Sequence, residues 1–189
     1  MLRAAHFRVN PRLFCSWARG APRPLLAAII CRRFGNPYWE LFDQIGRDPG
    51  NRVVILTGAG EAFVDRIDPE GFDFFSPRGH EKIYREGKKV LSNLLDIPVP
   101  VIAALNGPTT VHSEYVLLAD IVIATRDTVF QDKLHFAFGI VPGDGIHSLW
   151  PEDIGSIRGR TFVLTQQVIG ADEARMLGVI SEIPMRARH

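Results

Sequence analysis

Val53-Val54-Ile55-Leu56-Thr57 is an apolar, β-branched run with no polar alternation. A strand with one wet face alternates, so a continuous run implies cover on both faces. Val101-Ile102-Ala103-Ala104-Leu105 and Ile121-Val122-Ile123-Ala124 repeat the pattern. Segments of helical length lie between the runs, and strands joined through helices pair in parallel. The chain is therefore read as α/β.

Apolar spacing predicts helices at Trp39–Ile45, Glu81–Leu95, His112–Leu118, Ser156–Leu164 and Ala171–Leu177. Gly46 to Gly50, Pro98 and Pro100 stop the first two. Thr128–Phe130 and Val179–Ile183 read as short strands. Residues 66–80 form a long loop carrying Phe72, Phe74 and Phe75, suited either to binding or to anchoring the loop on the core.

Residues 1–39 hold seven arginines and no acid, which leaves the rest of the chain acidic. The expected division is a divergent front segment, 1–39, and a core domain, 40–189. The front resembles an organelle transit peptide, implying the mitochondrial matrix. Pro11, Pro22 and Pro24 break its amphipathic helix, which favours a cytoplasmic protein instead. No stretch reaches the ~20 apolar residues of a membrane span. A net charge of +1 gives no reason to expect nucleic acid. Cys15 and Cys31 make neither a disulfide framework nor a metal spacing.

His112, Glu114, Asp120, Asp132, His135, Asp144 and His147 crowd into one region. Asp144 sits in a Pro-Gly-Asp-Gly turn, where flanking glycines let a backbone present a carboxylate. An Asp at His135 Nδ1 would fix the tautomer a general base needs; the bland reading is a structural histidine. The region lacks a His-x-x-x-His pair and a nearby Cys, so no metal is expected. Ser113 and Ser148 lie in no nucleophile elbow. Gly58-Ala59-Gly60 lacks the third glycine of a dinucleotide site, and no cofactor is expected.

Several ordered motifs resemble the crotonase (enoyl-CoA hydratase/isomerase) superfamily. Asn51 to Gly60 with Ala62-Phe63, Ile97 to Gly107, Ala119 to Ala124, Gly139 to Gly145, Gly170 to Ala174 and Leu177 to Ile180 carry the likeness, across roughly residues 40–183. The resemblance implies a ClpP-like spiral of ββα units, here incomplete at both ends. It implies a small-molecule substrate and a homo-oligomer, trimer or hexamer. It also implies an oxyanion hole of two backbone N–H groups, at Ile67 and near Val111; one such donor is worth about 3 kcal/mol.

Glu114 falls at the first glutamate position of the family's hydratases, and His135 falls at the second. A His before Pro-Gly-Asp-Gly, with His112 on the preceding helix start, is similar to 6-oxocamphor hydrolase-like members. Phe130-Gln131-Asp132, Trp150-Pro151 and Arg158-Gly159-Arg160 extend that likeness. Those members cleave carbon–carbon bonds of cyclic β-diketones. Carried over, His135 activates water, Asp144 orients His135, and His112 binds a substrate carbonyl. The alternatives are a hydratase or isomerase acting on an acyl-CoA, and a non-catalytic truncated paralogue.

Overall fold

The computed structural model describes residues 26–31, 38–67, 73 and 75–184. Three continuous apolar runs form strands β2 (Val53–Gly58), β3 (Val101–Leu105) and β4 (Ile121–Ala124). With β1 (Leu26–Cys31) they make one parallel sheet in the order β1-β2-β3-β4. The expected division at residue 39 thus does not mark where the sheet begins. Leu26 to Cys31 pair residue by residue with Val53 to Gly58. Flanking arginines disguise this run as part of a basic leader.

Strands β2, β3 and β4 are each followed by a shorter pairing and then a helix. Val64 bridges Thr109, and Thr109 bridges Phe130, all parallel. Strand β5 (Val129–Phe130) also pairs antiparallel with β6 (Ile169–Gly170). This is the spiral of strand, short strand and helix that the resemblance implied. Gly107 marks a tight crossing, because a Cβ there would overlap the Glu61 carbonyl.

Helix α1 (Tyr38–Arg47) buries Tyr38, Phe42 and Ile45 beside Val90 and Leu94 of α2 (Pro77–Leu95). Helix α2 begins four residues before the expected Glu81. Ser76 Oγ accepts the Gly79 N–H at 3.0 Å and Pro77 takes the first turn, a polar start that apolar spacing cannot register. Of the loop phenylalanines, Phe75 is 98% exposed; Phe72 and Phe74 lie outside the described residues.

Helices α3 (Glu114–Leu117), α4 (Ile146–Ile154), α5 (Ser156–Thr165) and α6 (Ala171–Met176) complete the body. Trp150 of α4 is fully buried, stacked on Phe162 at 4.0 Å and edge-on to Phe130. The expected last strand is reduced to one bridge, Ile123 to Glu182. Among the described residues no helix is long and apolar enough to cross a membrane.

Candidate active site

Helix α4 organises the site from both ends. Its first turn follows the Pro-Gly-Asp-Gly turn, and Gly145 takes φ 109°, a conformation open mainly to glycine. This sets Asp144 at the start of a helix, where backbone N–H groups favour a carboxylate. Further along α4, Trp150 Nε1 donates to the buried Ser113 Oγ at 2.9 Å. Ser113 is thereby a structural acceptor between His112 and Glu114, not a nucleophile. His112 itself holds φ 51°, which is strained for a non-glycine residue and turns its ring into the site.

His135 is placed by the chain that runs on from β5. Gln131 and Lys133 donate their N–H groups to the carbonyls of Thr109 and Thr110. Between them Asp132 points inward, 1% exposed. Its Oδ1 accepts the N–H groups of Leu134 and His135, and its two oxygens lie 2.9 and 3.0 Å from His135 Nδ1. A 3-10 turn, Phe136–Phe138, then folds back, and the Ile140 N–H donates to the His135 carbonyl at 2.8 Å.

The sequence-distant residues meet. Asp144 Oδ2 lies 3.2 Å from His135 Nε2 and 3.2 Å from His112 Nδ1. His112 Nδ1 is also 2.7 Å from Glu114 Oε1. One carboxylate therefore bridges two imidazoles, and each imidazole has a second acid. The geometry departs from the expected pairing in one respect: Nδ1 of His135 faces Asp132, while Asp144 stands at Nε2. Sequence reasoning did not weigh Asp132 as a partner, although an Asp three residues before a His is a visible spacing.

Burial alone would lower both histidines. The carboxylates Glu114 and Asp144 outweigh it at His112, which rises to about 10. Hydrogen bonds to Asp132 and Asp144 outweigh it at His135, which rises to about 9. Burial and the Asp144 charge push Glu114 up to about 7, against the pull of His112. Asp144 resists burial through its two histidines and falls far below the usual carboxylate range. At neutral pH the centre is thus two imidazolium ions among acids.

These shifts fix a pH dependence of stability. A raised histidine contributes fully below its free value of 6.5 and loses that contribution as pH climbs through 9 and 10. The depressed Asp144 contributes above its free value of 3.8 and loses it as pH falls below. The melting temperature is expected to drop between pH 7 and 10, and to drop less in Asp144→Asn. Parallel curves for the two proteins would mean the cluster is uncharged.

A cavity of about 450 Å³ opens on this cluster. Its wall includes His112, His135, Asp144, Ile67 and Tyr115, with Trp39 and one face of α2. Glu114, fully buried, does not reach it. Of the two expected backbone donors, Ile67 lines the cavity. Val111 does not, and its N–H is directed at the Val64 carbonyl at 3.4 Å. His147 is exposed and away from the wall, and Asp120 caps β3 by accepting the Val101 N–H at 2.7 Å.

His112, Glu114 and Asp144 are the described residues whose ligand atoms cluster closely enough for a metal, within 4.8 Å. Ligands around a tetrahedral zinc at ~2.0 Å stand about 3.3 Å apart. The contact of 2.7 Å between His112 Nδ1 and Glu114 is shorter than that, and the 3.2 Å contact with Asp144 is about equal to it.

The sequence profile of the enoyl-CoA hydratase/isomerase family matches residues 23–188. A β-diketone hydrolase from Anabaena sp. PCC 7120, solved with (S)-3-oxocyclohexyl acetic acid, is 46% identical with a TM-score of 0.81. The match covers 84% of this chain and 68% of that one. An enoyl-CoA hydratase/isomerase structure from Mycobacterium paratuberculosis is 26% identical, with a TM-score of 0.77 over 84% of this chain and 69% of that one. A probable enoyl-CoA hydratase of Rhodobacter capsulatus is 31% identical over 76% of this chain and 56% of its own length. The chain thus spans little more than half of such curated relatives. Profile, topology and ordered motifs agree: the chain belongs to the enoyl-CoA hydratase/isomerase family and has the crotonase fold.

Proposed function

We propose that the site hydrolyses a carbon–carbon bond of a β-diketone. The observation that carries this reading is His135 on the cavity wall between two carboxylates. By the family resemblance it falls at a hydratase's second glutamate position, while Glu114, at the first, is fully buried and does not line the cavity. The likeness to the Anabaena β-diketone hydrolase supports the same chemistry.

In this reading Asp132 fixes the proton of His135 on Nδ1, so that Nε2 in the neutral ring takes a proton from water. Hydroxide adds to one carbonyl carbon. The tetrahedral adduct collapses, the bond to the central carbon breaks, and its electron pair becomes an enolate. His112, the more basic imidazole, stays protonated and holds the enolate oxygen. The proton on His135 returns to the enolate carbon. Diketone plus water gives a keto acid, with nothing left over. Asp144 holds both rings in place. The Ile67 N–H, on the same wall, serves the oxyanion.

The second reading is a hydratase or isomerase acting on an acyl-CoA, favoured by the names of relatives such as the Rhodobacter protein. A panel of cyclic 1,3-diketones assayed beside crotonyl-CoA separates the two. Keto-acid formation without crotonyl-CoA turnover is the expected result. The reverse pattern would move the site to CoA chemistry.

A further inference from the structure

The cavity wall contributed by α2 is one helical face, His80, Ile83, Tyr84, Gly87 and Val90, with the acid Glu86 at its edge. Its centre is a glycine. Gly87 lies ten residues into a 19-residue helix, where glycine costs stability relative to alanine. Its backbone does not require glycine, since its φ is not among the positive ones. Packing does not require it either, because a Cβ there would meet nothing within 4 Å. What lies over Gly87 is open cavity.

That opening adjoins the reacting end. Leu91, one turn beyond Gly87, touches the turn carrying Asp144: a Cβ on Gly145 would come within 2.6 Å of Leu91 Cδ1. A group lodged over Gly87 therefore lies next to Asp144 and the imidazoles it bridges. Its neighbours Ile83, Tyr84 and Val90 offer apolar surface. Among the described residues the lining includes neither Lys nor Arg.

We propose that the recess over Gly87 is a subsite for the ring carbons of an uncharged alicyclic ketone, and that Gly87 sets the largest ring admitted. This rests on the diketone reading for turnover, but not for binding. A Cβ at Gly87 meets nothing within 4 Å, so a side chain placed there extends into the recess. It discriminates by size, and one methylene of misfit typically changes specificity about 10–200-fold.

The test compares the wild type with Gly87→Leu and Gly87→Ala on 1,3-cyclohexanedione and on a bicyclic 1,3-diketone. Gly87→Leu is expected to raise KM for the bicyclic compound about 10–200-fold more than it raises KM for the single ring. Gly87→Ala is expected to fold as well as the wild type, with a melting temperature about 2–4 °C higher as helix propensity is regained, and to show the same bias more weakly. Equal effects on both ring sizes, or none, would overturn the subsite. Calorimetric binding of cyclohexanone and of decalone, which cannot be cleaved, gives the same comparison without turnover. Size-dependent binding with no diketone hydrolysis would sink the proposed reaction and leave the subsite standing; hydrolysis without size dependence would do the opposite.

Discussion

His135→Ala is expected to lower kcat on a β-diketone by about 10²–10⁴, the ordinary worth of a positioned general base. The reason is local. His135 lines the cavity with Nε2 beside Asp144, and no other described imidazole has its Nδ1 held by Asp132. His112 cannot substitute, because its Nδ1 is engaged by Glu114 and Asp144. The fold should survive, since the core packs on Trp150, Phe162 and Phe130 rather than on the imidazole. A rate within a factor of a few of the wild type, in a protein that still unfolds cooperatively, would remove His135 from the chemistry.

Asp132→Asn is expected to act nearly as strongly. Asp132 Oδ1 accepts two backbone N–H groups, and both oxygens approach His135 Nδ1. Asparagine can keep the oxygen toward the backbone, but its amide then turns an N–H toward Nδ1. The ring must answer with a lone pair there, which forces the proton onto Nε2 and leaves no base facing the cavity. The same exchange behind the histidine of a serine protease costs about 10⁴ in kcat. KM should change little, because Asp132 lies behind the ring. Nitrogen NMR of His135 should report the switched tautomer. A loss of rate matched by loss of folded protein, with the tautomer unchanged, would make Asp132 a purely structural residue.

Much of the frame is legible in the sequence because burial on both faces leaves an uninterrupted apolar run. Val53–Thr57, Val101–Leu105 and Ile121–Ala124 are readable for that reason, and they form the sheet. What escapes is whatever depends on partners. Leu26–Cys31 becomes a strand by pairing with β2, and its arginine-rich flanks hide this. Helix α4 is obscured by Pro151 within it and by the glycines before it, yet it carries Trp150 and holds Asp144. Val179–Ile183 has strand composition, but it meets the sheet only at its edge, where Ser181 and Glu182 bond to Val122.

At the site, the sequence indicates that His112, His135 and Asp144 belong together, through spacing and family likeness. It does not show which nitrogen each acid faces. Asp132 is only three residues from His135, so the turn in which its Oδ1 accepts the Leu134 and His135 N–H groups, not the spacing alone, decides whether the two side chains meet. Nor does the sequence show where the Val111 amide points, which is 3.4 Å from the Val64 carbonyl on the neighbouring short strand.

The central claim is that a neutral His135 and a protonated His112 work together across Asp144. The pH dependence of kcat/KM on a cyclic 1,3-diketone tests it most directly. The expected profile rises about tenfold per pH unit from 7 toward 9, as His135 loses its proton, and falls beyond about 10, as His112 loses its own. Asp144→Asn should move both limbs to lower pH. A profile that is flat from 7 to 9, or that ignores the Asp144 substitution, would contradict it.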